Sequence, residues 1–402
     1  MRSTPEYQTY KYMEHWRPEE QTILEQELTH SKNSPLLSYI YTRVKAEYKF
    51  VPHRKDGNDA FVHPLNVIWD LKKAGVRNEV TLSAALMHDW VEEEVDLFRN
   101  KNKLKLTAAG LKELDLCEQQ IFSNIKQELT DFCTKNKVPI KIAQDTFKLL
   151  EMLTRNKRHF YYRSISGIFN CADKELKEKA ILVKLADRTH NIQSIECFSE
   201  EKRLFECFKN LFILNNTKRF LQQKRKKEGY KTMDPLERMF TKCSKATFDA
   251  FLRILELCYK KGINEVRSML QLAFKKFAFE KHGLWEVTEI DDKIIHPMRL
   301  YMGIVRKYDA RMHQEWKQFE KYKNAEMEFC RKFFSDFKFN EEQLRAVLDY
   351  KDAYALKEVI AKLLYDPEYL IGGFSCSALC SRGMKCMKSG KKEKFNHVLL
   401  PA

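Results

Sequence analysis

Apolar residues along the chain recur with helical rather than strand spacing, and three segments carry the clearest pattern. The first opens with Pro64 in a first turn, continues through Leu65, Val67, Ile68 and Leu71, and stops at Gly75. Asn78 and Glu79 then read as the cap and first turn of a second helix over about 79–93. This second helix has Val80, Leu82, Ala84, Ala85, Leu86, Met87 and Val91 on nearly every side, so a central, buried position is expected. A third helix, over about 173–196, is capped by Asp173 and carries Ile181, Leu182, Val183, Leu185 and Ala186.

The flanking regions are more polar. Residues 1–34 end in the turn signal Ser31-Lys32-Asn33-Ser34-Pro35 and read as a leading helical arm. A charged stretch that includes KNKLKLTAAGLKELD, around 95–150, reads as a helical insertion on the periphery. Residues 215–402 read as a second helical domain of unknown purpose, with MRLYMGIVRKYDARMHQEWKQFEKYKNAEMEFCRKFF as its longest charged helix. The central domain is therefore expected over 35–214.

Composition supports an all-α fold. The 402 residues include only 12 glycines and 10 prolines, whereas average usage would give about 48 of the two together, so turn-rich β architectures are disfavoured. A net charge of +16 attracts anions, and nucleotides, nucleic acid and an acidic membrane surface all meet that description, so the charge alone does not choose among them. The basic runs, Lys224-Arg225-Lys226-Lys227 and Lys391-Lys392, read as solvated faces rather than a nucleic-acid surface. There are 11 scattered cysteines, and the opening MRSTPEYQTYKYMEHW has no apolar core of a signal peptide, so reduced thiols in a cytoplasmic protein are expected. Cys376, Cys380 and Cys386, spaced C-x3-C-x5-C, depart from the paired short spacing of structural zinc sites and read as free thiols. No apolar run approaches the roughly 20 residues that cross a bilayer, and no membrane partner is expected.

Within the apolar second helix, His88 and Asp89 are adjacent polar residues whose burial without partners would cost several kcal/mol. Adjacent helical side chains point about 100° apart, so both reach one ion only if it lies off the helix flank and other elements complete the shell. His63 in FVHPLNV and Asp187 in ILVKLADRTHNIQSI are the natural candidates. Two imidazoles and two carboxylates suit manganese, iron or magnesium better than a thiolate-type zinc site, with water at the remaining positions. Open positions point to catalysis, because a bound water can be acidified enough to attack phosphorus near neutral pH.

The blocks Arg54-Lys55-Asp56-Gly57 with Phe61-Val62-His63-Pro64, Ala84-Ala85-Leu86-Met87-His88-Asp89-Trp90-Val91-Glu92-Glu93, and Lys184-Leu185-Ala186-Asp187-Arg188-Thr189-His190-Asn191 occur in this order. Over about residues 35–200 the chain thereby resembles the HD-type hydrolase domain of RelA/SpoT proteins, which removes the 3′-pyrophosphate of guanosine tetra- and pentaphosphate, usually with manganese. The resemblance implies a helical HD bundle and a metal on His63, His88, Asp89 and Asp187, the same four residues reached above. It implies that Glu92 and Glu93 orient or deprotonate the attacking water. Glu93 stands where the family usually has Asp, so Glu92 is the expected base. Arg54 and Lys55 match the basic pair that contacts base and phosphates, and Asn191 and Ser194 match nucleoside contacts. Arg188 is expected to support the carboxylates by ion pairing. LTRNKRHFYYRSISGI is similar to a block of free-standing HD enzymes, which implies that Thr154, Arg155 and Tyr162 face the phosphates.

Departures accompany the resemblance. Ser194 stands where Thr is common and Gln193 where Arg is common, and neither a synthetase domain nor the usual regulatory domains are recognised in 200–402. The expected activity is a 3′-pyrophosphohydrolase acting on a phosphorylated purine nucleotide, without synthetase activity. Two alternatives stand beside it: an HD phosphatase or phosphodiesterase on an NADPH-like or cyclic nucleotide, and a non-catalytic nucleotide-sensing scaffold.

Overall fold

The structure is a computed structural model that describes residues 34–105, 107–155, 161–228 and 233–260, with short pieces at 287–290, 363, 368–370 and 384–386. The leading arm before residue 34 and the long charged helix expected after residue 297 lie outside the described residues. So do Cys376 and Cys380. The fold is all-α: α1 Pro35–Tyr48, α2 Val62–Lys73, α3 Glu79–Met87, α4 Trp90–Lys101, α5 Ala108–Lys135, α6 Ile140–Leu153, α7 Tyr161–Asn170, α8 Lys174–Gln193, α9 Glu200–Glu228 and α10 Pro235–Lys260. One short antiparallel pairing, β1 Val287–Ile290 with β2 Met384–Cys386, is the exception and contains Cys386.

The chain packs as two compact units. The first holds the described residues between 34 and 190 together with 233–239, and the second holds those between 191 and 228 and from 240 onwards. In the first unit α3 is the central helix, and α1, α2 and α6 pack against it while α5 covers α4 and α6. Every residue of α3 from Val80 to Met87 is buried, as its all-round apolar surface requires. Asn78 caps it by accepting the Thr81 N–H at 3.0 Å. Asp173 likewise caps α8 through the N–H groups of Glu175 and Leu176. Helix α2 ends in a Schellman motif, with Gly75 at φ +95° donating to Lys72 O and Val76 donating to Leu71 O, both at 2.9 Å.

Two expectations change. The helix expected over 79–93 is interrupted at His88 and Asp89, so that α3 ends at Met87 and α4 starts at Trp90. The stretch around 95–150 is not all peripheral, because α6 lays Ala143, Phe147, Leu150 and Leu153 into the core. These recur at helical spacing, and a fully buried leucine such as Leu150 contributes about 1.5–3 kcal/mol, so the stripe outweighs the charged residues between them.

In the second unit α9 and α10 bury Phe208, Phe212, Phe248 and Phe251. Asn210 in the same unit satisfies its amide by donating to Thr247 Oγ1 at 2.9 Å. Among the described residues no helix is long and apolar enough to cross a membrane.

Candidate metal centre

His63 comes from the first turn of α2, His88 and Asp89 from the break between α3 and α4, and Asp187 from α8. His88 follows the last residue of α3 and Asp89 precedes the first of α4, and Asp89 Oδ2 lies 3.3 Å from His88 Nε2. His63 Nε2 is 3.0 Å from His88 Nε2 and 3.4 Å from both Asp89 Oδ2 and Asp187 Oδ1. His88 Nε2 is 3.9 Å from Asp187 Oδ1, and one donor atom from each of the four residues lies within 4.8 Å of all the others. Bonds of about 2.0–2.2 Å to one ion place neighbouring donors about 3.0–3.6 Å apart and opposite donors a little beyond 4 Å. The four side chains already stand at that spacing, and as a group they can hold a metal ion.

The ring nitrogens are oriented for the same purpose. His88 Nδ1 lies 2.7 Å from Ala85 O, a carbonyl that can only accept, so the ring proton sits on Nδ1 and a neutral His88 turns its Nε2 lone pair into the cluster. The Nε2 atoms of His63 and His88 lie 3.0 Å apart beside two carboxylates, a spacing that a proton or a metal ion between them fits. Burial opposes the charge on His88, but Asp89 and Asp187 outweigh it and raise its pKa above the ordinary 6.5. Burial also works against the Asp89 charge, yet His88 and His63 hold its carboxyl well below the usual range. Asp187 is held low in the same way, chiefly by Lys184, whose ammonium donates to Asp187 Oδ2 at 3.2 Å. Asp187 Oδ1 faces His63 Nε2 at 3.4 Å.

A metal ion and a proton compete for His88 Nε2, and the raised pKa favours the proton in that competition, so affinity falls as pH is lowered. Calorimetry between about pH 8 and pH 6 is expected to show weaker binding at the lower pH, with proton release into the buffer. Affinity independent of pH, with no proton released, would contradict this arrangement.

The remaining site residues divide. A cavity of about 430 Å³ beside the cluster is lined by Arg54, Lys55, His63, Asp89 and Glu93, with Tyr48, Leu97 and Arg99 among its other walls. Arg54 and Lys55 stand on a tight turn, in which Gly57, at φ +82°, donates to Arg54 O at 2.9 Å. Glu92 Oε1 accepts the Arg155 N–H at 2.8 Å, its Oε2 lies 3.7 Å from the Arg155 guanidinium, and its charge helps to raise the pKa of Lys184, the partner of Asp187. Tyr162 is 3% exposed and packs edge-on against Tyr161. The Arg188 guanidinium lies over the Tyr161 ring. Asn191 lies in the last turn of α8, and Ser194 donates to Asn191 O at 3.3 Å just beyond it.

Sequence reasoning passed over Lys184 and His190. Both lie three residues from Asp187 on α8, one on each side, a spacing that shares its helix face and was the available signal.

The chain matches no protein-family model and no curated protein.

Proposed function

We propose that this protein is a metal-dependent phosphohydrolase of the HD type acting on a phosphorylated purine nucleotide. The observation that carries the reading is the meeting of His63, His88, Asp89 and Asp187 at coordination spacing, with His63 and Asp89 of the four lining a cavity that also presents Arg54, Lys55 and Glu93. A volume near 430 Å³ lies in the range of about 300–1,000 Å³ typical of small-molecule sites. When bound, a divalent ion, with manganese the first candidate for this donor set, supplies Lewis acidity towards phosphoryl oxygen and an acidified water. Arg54 stacks on the purine and, with Lys55, offsets phosphate charge. Glu93 faces the cavity next to Asp89 and takes the proton of the attacking water. Glu92 instead fixes the segment at Thr154 and Arg155, which places Arg155 for a phosphate contact. Asn191 and Ser194 are assigned to the nucleoside on the RelA/SpoT resemblance.

That resemblance names the substrate as a guanosine 3′-pyrophosphate, with no synthetase activity. A cytoplasmic location belongs to the same reading, in keeping with free thiols at Cys117, Cys133, Cys171, Cys197, Cys207 and Cys243.

Product analysis with guanosine tetraphosphate and manganese tests the substrate. The expected products are the 5′-diphosphate and pyrophosphate. Arg54→Ala is expected to raise KM more than it lowers kcat, since stacking acts on ground and transition states alike. Release of single phosphates, or turnover only of cyclic or 2′-phosphorylated nucleotides, transfers the assignment to another HD phosphatase or phosphodiesterase. A nucleotide that binds and is never turned over would make the protein a sensing scaffold.

A further inference from the structure

His190 belongs to neither the four ligands nor the residues assigned above to substrate, yet it touches the cluster directly. It follows Asp187 by three residues on α8 and so shares that residue's face. Its Nδ1 lies 2.8 Å from Nδ1 of His63, and the two rings meet at 51° with centroids 4.8 Å apart. At that separation the two nitrogens share one proton, with one ring donating and the other accepting.

The direction follows from the opposite edge of His63. Its Nε2 stands 3.0 Å from His88 Nε2 and 3.4 Å from the Asp89 and Asp187 carboxylates, the place of a metal ligand. A ligating nitrogen must present a lone pair, so the ring proton of His63 belongs on Nδ1. His190 must then accept with Nδ1 and carry its own proton on Nε2. The two imidazole ligands are thus held differently. His88 donates to the backbone carbonyl of Ala85, whereas His63 has a side-chain acceptor that substitution can remove.

We propose that His190 is a positioning residue, whose Nδ1 accepts the Nδ1–H of His63 and locks that imidazole in the tautomer that turns Nε2 towards the metal. The proposal rests on the reading of His63, His88, Asp89 and Asp187 as a metal centre. Loss of an outer partner of a metal-bound histidine typically weakens metal binding about 10–100-fold.

The test uses the full chain and zinc, a diamagnetic probe, in competition with a chromophoric chelator. His190→Ala is expected to bind zinc about 10–100-fold more weakly than wild type. His190→Asn places an amide oxygen where Nδ1 was and is expected to recover most of the loss. A residue that merely filled space would not show that rescue. Long-range proton–nitrogen spectra of the zinc-loaded wild type need no variant, and they are expected to show His63 protonated at Nδ1 and bound through Nε2. Three results overturn the proposal: equal zinc affinity in wild type and His190→Ala, no recovery in a folded His190→Asn, or an unprotonated Nδ1 on His63. They leave the metal centre standing if Asp89→Ala abolishes zinc binding. A wild-type chain that takes up no zinc, like Asp89→Ala, overturns the metal centre itself and the role of His190 with it.

Discussion

Asp89→Ala and Asp187→Ala are each expected to leave the purified chain without a transition-metal ion, where wild type carries about one per chain. Both carboxylates project an oxygen into the cluster, at 3.3 Å and 3.9 Å from His88 Nε2 respectively. Removing either leaves three protein donors and a larger opening to water, which weakens a mixed nitrogen and oxygen site severely. The two variants are expected to differ in stability. Asp89 is partly open to solvent, and its loss leaves the helix break intact. Asp187 is the carboxylate that pairs with the buried Lys184 ammonium. Burial opposes the Lys184 charge, but Asp187, Asp89 and Glu92 overcome it and raise its pKa. Truncating Asp187 strands that ammonium, a change that typically costs about 3–5 kcal/mol. Elemental analysis and thermal melts in chelator separate the effects: both variants lose metal, and Asp187→Ala alone melts markedly lower. Unchanged metal content in both variants would place any bound ion elsewhere.

The second large effect is expected at Glu93. Its carboxylate lines the cavity beside Asp89, and the amide of Glu93→Gln keeps the shape while removing the proton acceptor. Turnover is expected to fall about 10²–10⁴-fold with metal content unchanged. Glu92→Gln is expected to do less. Its amide oxygen still accepts the Arg155 N–H, while the charge that faces the Arg155 guanidinium at 3.7 Å and supports Lys184 is lost. Initial rates with saturating manganese and nucleotide measure both variants. An inactive Glu92→Gln beside a fully active Glu93→Gln would return the proton acceptor to Glu92.

The choice of Glu93 over Glu92 as the proposed proton acceptor turns on an interruption of the helix that the sequence does not signal. The apolar surround of Val80 to Met87 makes α3 legible as the central helix, because a helix without a polar face has nowhere else to go. The interruption at His88 and Asp89 has no such signal, since neither glycine nor proline marks it. Counting four residues from His88 along an unbroken helix selects Glu92. With the break in place, the helical count restarts at Asp89, and four residues on lies Glu93, whose N–H donates to Asp89 O at 2.9 Å. The group of four that can hold a metal ion was legible because polar pairs inside apolar helices demand partners. His190 was hidden for a related reason: its partner His63 is 127 residues away, and only the tertiary fold brings the two rings together. Helix α6 shows the converse, where charged residues at its exposed positions masked an apolar stripe of helical period.

The most direct test of a metal centre that drives phosphohydrolysis is to strip wild-type protein with chelator and follow release of phosphate or pyrophosphate from a nucleotide panel as manganese is returned. The stripped chain is expected to be inactive, and activity is expected to return with about one equivalent of metal and to remain absent in Asp89→Ala. Equal activity in the stripped and restored protein, or no release from any nucleotide once the metal is bound, would contradict it.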